Sequence, residues 1–254
     1  MIIVQISDTH IDLEGPDAAS RIVDLERCVD DINKLDQLPD VVIHTGDLTH
    51  NGTPEKYEVA RGILNTLRCP FFLAAGNRDD RALIRRYFSF GRELLPEAPY
   101  LQYIVDAYAV RLIALDTRSE ITNMGNFCGV RADSLRQALA EDTLKPTVIF
   151  MHHPPFEIPQ SKYPWQYDSQ DAIALLAGVL EGRANVVRAF CGHAHRDATG
   201  MIANVPVSCI PSVAIDLRLE DIPDAPDAIK AAPVYQIHKF NADQGFTTET
   251  RVAR

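Results

Sequence analysis

The sequence predicts an α/β fold with strand-rich additions. Three observations predict it. Short apolar runs alternate with amphipathic stretches, the runs end in polar rather than apolar residues, and the segments after Met201 read as strands. With 254 residues, 46% hydrophobic and 24% charged, the chain suits one domain over residues 1–254 with a full core. No internal repeat is evident.

The elements follow in order. "IIVQI" (2–6) is a strand. In 21–35, Ile22, Leu25, Val29, Ile32 and Leu35 recur at spacings of three and four, the period of a helix. "DVVIHTG" (40–46) is a strand. Residues 54–67 begin with Pro54 and carry Ala60, Ile63, Leu64 and Leu67 on one helical face. "FFLAA" (71–75) is a strand and 80–88 a short helix. Residues 100–116 read as two strands of a hairpin, interrupted at Asp106. A helix over 131–142 precedes the buried strand "TVIFM" (147–151). Ser169 is a plausible N-cap for a helix over 169–182. "VVRAFCG" (186–192), "MIANVPVSCIPSVAIDLRL" (201–219) and "VYQIHKF" (234–240) read as strands. Residues 154–168 and 221–233 read as long loops.

Net charge is -10, with a pI near 5.2. A long polyanion meets a repulsive field, so binding of long nucleic acid is not expected. A small anion remains compatible with a locally positive site. Cys28, Cys69, Cys128, Cys191 and Cys209 have no C-x-x-C spacing, and their mostly apolar neighbours suit buried free thiols. No apolar run is long enough to span a membrane, and the N-terminal residues lack a signal-peptide pattern, so a cytoplasmic location is expected.

Chemistry concentrates where the apolar runs stop. Asp8 and His10 follow the first, Asp47 the second, Asn77 the third, His152 and His153 the run "TVIFM", and His193 and His195 the run "VVRAFC". Sites in open α/β sheets form at the carboxyl ends of strands. Residues two apart, as in Asp8/His10 and His193/His195, would face one side of an extended strand. Imidazole, carboxylate and amide oxygen together suit borderline metals: Mn, Fe, Zn or Co. Seven such groups are too many for one ion and suit two ions roughly 3.5–4 Å apart bridged by one carboxylate, with Asp47 the natural bridge.

The ordered segments "DTH", "GDL", "GN", "HHPP" and "GHAH", spanning residues 6 to 195, resemble the calcineurin-like metallophosphoesterase superfamily. The "HHPP" and "NVPVS" segments are most similar to its bacterial class III cyclic-nucleotide phosphodiesterase group. The resemblance implies a four-layer αββα sandwich of two mixed β-sheets with a dinuclear site at its rim. It implies one metal held by Asp8, His10, Asp47 and His195, and a second by Asp47, Asn77, His152 and His193. It implies hydrolysis of small phosphodiesters, cyclic nucleotides or glycerophospho and other lipid-derived diesters, by a metal-bridging hydroxide, with Mn or Fe the leading metals. Two dications, two carboxylates and one hydroxide leave a net charge of about +1, complementary to a phosphodiester anion. A phosphomonoesterase, a nuclease and a metal-free binding module are the alternatives. A homodimer or higher oligomer stays open.

Other residues carry two readings each. His153 is a candidate for substrate contact, proton donation or support of the ligands, with packing as the alternative. His44 and His238 read as core histidines, His50 as a loop residue, and Asp116 as a turn-forming acid. Tyr163, Trp165 and Tyr167 alternate along 154–168 and either stack a substrate base or pack the loop. Segments 154–168 and 211–233 are candidates for caps over the site.

One departure stands out. The family's G-N-H-D/E motif is "GNRD" here, with Arg78 in the histidine's place. Arginine holds phosphoryl oxygens but gives up no proton. Arg78 is therefore expected to bind phosphate or to turn into an ion pair with an acid such as Asp79. By the resemblance, Asp79 is expected to support a ligand histidine.

Overall fold

A computed structural model describes residues 1–159, 161–218 and 232–253. Two sheets stack face to face. The first has the order β12-β11-β1-β2-β3, built from β1 (Ile2–Ile6), β2 (Val41–His44), β3 (Phe71–Leu73), β11 (Val234–Asn241) and β12 (Gly245–Val252). The second has the order β4-β5-β6-β7-β8-β10-β9: β4 (Arg92–Glu93), β5 (Tyr103–Val105), β6 (Arg111–Ala114), β7 (Thr147–Phe150), β8 (Val186–Cys191), β9 (Ala198–Ile202) and β10 (Val205–Cys209). Both are mixed: β1, β2 and β3 run parallel, as do β6, β7, β8 and β10, with antiparallel strands outside them.

The period-2 pattern sorts side chains between layers. On β6 and β7, Leu112, Ala114, Val148 and Phe150 enter the core shared with the first sheet. Their neighbours Ile113 and Ile149 turn outward to α4 (Gly129–Glu141) and α5 (Gln170–Leu180). Leu25, Val29 and Ile32 of α1 (Ala18–Asn33), with Ala60 and Leu64 of α2 (Pro54–Leu64), pack against the first sheet. Helices outside both sheets complete the expected αββα sandwich. β1 is buried along its whole length, which explains why it is apolar except at Gln5, whose amide donates to Thr45 Oγ1 and to the Cys191 carbonyl.

Capping follows the sequence. Ser169 accepts from the Ala172 N–H at 3.2 Å, and Asp80 caps α3 (Arg81–Tyr87) by accepting from Leu83 N–H at 2.8 Å. One reading needs correction, and two strands carry little signal in the sequence. The strand expected over 201–219 ends at Cys209. Pro211 follows, and Ile215–Leu217 form a 3-10 turn instead. Strand β12 was not anticipated, because its central residues are polar and exposed on the sheet edge. The two-residue β4 was also missed. Of the expected cap 211–233, residues 219–231 lie outside the described residues. Among the described residues no helix is long and apolar enough to cross a membrane.

Candidate metal centre

The expected ligands follow strands of both sheets. Asp8 and His10 follow β1, Asp47 follows β2 and Asn77 follows β3; His152 follows β7, and His193 and His195 follow β8. The extended-strand argument for the paired ligands also needs correction. Asp8, His10, Asp47, His193 and His195 all have positive φ, between 44° and 69°. The strands stop and the backbone turns left-handed at these five candidate ligands, though not at Asn77 or His152. Such residues cost roughly 1–3 kcal/mol each and persist where the surroundings over-determine them. Only two other described non-glycine residues, Asn51 and Ala203, share that conformation, so the strain is concentrated at the cluster.

The preceding glycines allow the close approach. A Cβ on Gly76 would lie 2.2 Å from both the backbone N and Oδ1 of Asp47, and one on Gly192 would lie 2.0 Å from Ser7 Oγ and 2.5 Å from Asp8 Oδ2. The G-D, G-N and G-H pairs in the sequence therefore reflect backbone packing between strand ends.

Two sets of donor atoms result. In the first, His195 Nε2 is 3.3 Å from both Asp8 Oδ1 and His10 Nε2, and His10 Nε2 is 3.5 Å from Asp47 Oδ2. In the second, Asn77 Oδ1 is 3.0 Å from both His152 Nε2 and His193 Nδ1, and His152 Nε2 is 3.5 Å from Asp47 Oδ2. The same oxygen of Asp47 borders both sets. With metal–ligand bonds near 2.1 Å, adjacent ligand atoms are about 3.0 Å apart in an octahedron and about 3.4 Å in a tetrahedron. The observed separations fit.

Hydrogen bonds behind the ligands fix their tautomers. His152 Nδ1 donates to the Thr45 carbonyl at 2.8 Å, and His195 Nδ1 donates to the Leu217 carbonyl at 2.9 Å. In those tautomers the Nε2 lone pairs face Asn77 Oδ1, Asp47 Oδ2 and Asp8 Oδ1. These acceptors repel one another unless a positive charge lies among them, so the donor set fits a cation. Proton affinities express the same need. Burial lowers His152, yet Asp47 and Asp8 outweigh it and push the group up to about 9. Burial raises Asp8 and Asp47, yet His195 and His152 hold them well below the usual carboxylate range. His10 goes to about 4 through burial, partly offset by Asp47, and His193 to about 3 through burial and the charge of His152.

His153 is fully buried, with its ring 4.4 Å from that of His193. Its Nε2 donates to the Asn123 carbonyl at 3.2 Å and its Nδ1 accepts from Thr117 Oγ1 at 2.9 Å. Burial and the neighbouring His193 and His152 hold it neutral, well below its ordinary value. Both ring nitrogens are thus engaged, and the ring packs against those of His152 and His193.

Asp79 also departs from expectation. It accepts from the N–H groups of Leu48, Thr49 and Gly76 at 3.0–3.2 Å and from Tyr57 Oη at 3.0 Å, so it braces the Asp47 turn rather than a histidine. Arg78 does not pair with Asp79. Its backbone N–H donates to Asp47 Oδ1 at 2.7 Å and its guanidinium to Asn51 Oδ1 at 3.2 Å. His44 is a satisfied core histidine between Thr9 Oγ1 and the Gly46 N–H, and His238 lies buried between Thr248 and Gln5. Asp116 forms a turn through the Arg118 N–H and pairs with Arg81 through both oxygens, at 2.6 and 2.8 Å. His50 is a loop residue whose ring lies 5.8 Å from that of His10. In loop 154–168, Tyr167 is core, while Tyr163 and Trp165 are exposed. The carbonyls of Thr45 and Leu217 and the Thr117/Asn123 clamp were missed, since backbone acceptors leave no residue-type signature.

A profile of calcineurin-like phosphoesterases matches residues 1–197. The chain belongs to the calcineurin-like phosphoesterase family. This phosphoesterase is 32% identical over 258 residues to a probable glycerophosphodiester phosphodiesterase, GpdQ, of Arcobacter nitrofigilis, covering 98% of this chain and 92% of that one. It is 32% identical over 202 residues to a probable cyclic nucleotide phosphodiesterase of Synechococcus sp., covering 76% and 73%. Its fold matches a dimetal phosphatase from Danio rerio with a TM-score of 0.72 at 14% identity, over 100% of this chain and 99% of that one.

Proposed function

We propose that this phosphoesterase is a dinuclear-metal-dependent phosphodiesterase acting on small diesters, either cyclic nucleotides or glycerophosphodiesters. The observation that carries the reading is Asp47 Oδ2, 3.5 Å from ligand atoms of both sets. In the proposal Asp8, His10, Asp47 and His195 hold one ion, and Asp47, Asn77, His152 and His193 the other. Two bound cations would polarise a phosphoryl group and make water acidic enough to attack phosphorus. Manganese or iron suits the oxygen and nitrogen donors, with zinc or cobalt less favoured. The names of the Arcobacter and Synechococcus relatives support a diester substrate.

The chain's own residues set the rest. Asn51 holds one N–H of the Arg78 guanidinium, leaving others to grip phosphoryl oxygens. Arg78 stays charged and donates no proton, so diesters with acidic leaving groups react best. His153 and Asp79 keep the ligand loops in place. Five unpaired thiols support the reducing environment of a cytoplasm. The test compares turnover of a bis-aryl phosphate, an aryl monophosphate, 3′,5′-cyclic AMP and glycerophosphocholine with added manganese. The proposal expects diester preference; a clear monoester preference refutes it.

A further inference from the structure

We propose that His50 is a positioning residue for the metal centre: through one bridging water, its imidazole accepts the Nδ1 proton of the candidate ligand His10. The inference rests on the reading of Asp8, His10, Asp47 and His195 as a cation site. Three histidines bring Nε2 to the two donor sets: His10, His152 and His195. A neutral imidazole that gives its lone pair at Nε2 carries its proton at Nδ1, and that N–H needs an acceptor. His152 and His195 each have one, the carbonyls of Thr45 and Leu217. His10 Nδ1 is buried with no hydrogen-bond partner. An unpaired N–H in that position is costly, and it leaves the ring free to swing its Nε2 off the ion.

The matching orphan lies on the neighbouring ring. His50 Nδ1 is also buried without a partner, and among the described residues these are the only two such histidine nitrogens. The His50 and His10 ring centres are 5.8 Å apart, with 52° between the planes. No direct hydrogen bond joins rings so separated, and one water with two nitrogen partners spans the gap. His50 then accepts at Nδ1 and keeps its own proton at Nε2. Its place beside His10 is set by the backbone. The His10 N–H donates to the Asp47 carbonyl at 3.0 Å, the Ile11 N–H to the Leu48 carbonyl at 3.0 Å, and the His50 N–H to the Ile11 carbonyl at 2.9 Å. Lys56 Nζ donates to the His50 carbonyl at 2.7 Å, and the Gly52 N–H to the Arg78 carbonyl at 3.1 Å. The loop that carries His50 is thus laced to the His10 turn on one side and to the Arg78 turn on the other.

The experiment compares the full chain with His50→Ala and His50→Gln. Calorimetric titration of the metal-free proteins with manganese reads the affinity directly. His50→Ala is expected to weaken one of two binding events by about tenfold or more and to leave the other nearly unchanged. His50→Gln keeps an acceptor in its amide oxygen and should recover most of that loss. The urea midpoint of the metal-free protein should not move in either variant. A second readout needs no turnover. In zinc-loaded protein carrying isotope-labelled histidine, magnetic resonance should show a slowly exchanging Nδ1 proton on His10 in the parent and in His50→Gln, and lose it in His50→Ala. Unchanged manganese affinities in His50→Ala with the His10 proton retained overturn the proposal, as does an equal loss in His50→Gln, which would mark a packing role. A parent that binds a single ion contradicts the two-ion reading instead, and the His10 proton in zinc-loaded parent and His50→Ala still decides the role of His50.

Discussion

Replacing Gly76 with alanine tests the geometry that joins the two sheets' contributions. The added Cβ would lie 2.2 Å from Asp47 Oδ1 and from its backbone N, and 2.9 Å from its Cα. Ordinary contact begins near 3.4 Å, so the Asp47 turn must retreat by roughly an ångström. Strain of this kind costs about 1–3 kcal/mol. The larger effect falls on function, because Asp47 Oδ2 is the atom bordering both donor sets. A displacement of about 1 Å at such a site costs on the order of a hundredfold in rate. Gly62→Ala is the control: it lies inside α2 with nothing within 4 Å of its added Cβ, and should stabilise the helix by up to about 1 kcal/mol. The assay pairs manganese affinity by calorimetry with diester turnover and chemical unfolding. Gly76→Ala binding manganese with unchanged affinity and turning over within twofold of the parent would refute the reasoning.

Three further outcomes are expected. Arg78→His, which introduces a group able to donate a proton, should narrow the rate gap between aryl and alkyl diesters and add a basic limb to the pH–rate profile; an unchanged gap removes Arg78 from the leaving-group account. Asp79→Ala strands the N–H groups of Leu48, Thr49 and Gly76 and should lower unfolding stability by about 3 kcal/mol or more, read by urea denaturation; a loss under 1 kcal/mol contradicts its bracing role. Burial, aided by Arg188, lowers His238 from 6.5 to about 3, so the unfolded chain binds a proton between those values that the folded chain does not. Stability from this group is therefore constant above pH 6.5 and falls as pH drops, by about 2 kcal/mol between pH 7 and 5. His238→Gln should remove that part of the slope in metal-free protein, and an unaltered slope counts against it.

Much of this molecule is legible in its sequence because two periods do the sorting. The spacing of Leu25, Val29 and Ile32 places the inner face of α1, and the apolar runs place the parallel strands. The candidate ligands stood out because the strand ends carry side chains able to bind a metal, and the structure brings them together. What failed has physical reasons. The two-residue spacing of Asp8 and His10 suggested an extended strand, but the close approach of two sheets forces left-handed turns there. β12 pairs through its backbone with β11 and has few apolar residues to betray it. Asp79 acts through backbone N–H groups that become neighbours only after folding, so nothing in "GNRD" announces its partners.

Crystals of the full chain soaked in manganese, with data collected at the manganese edge, test the central claim most directly. The account predicts two anomalous peaks roughly 3.5–4 Å apart, with Asp47 between them, Asp8, His10 and His195 on one, and Asn77, His152 and His193 on the other. A single peak, or an Asp47 carboxylate bound to only one ion, would contradict it.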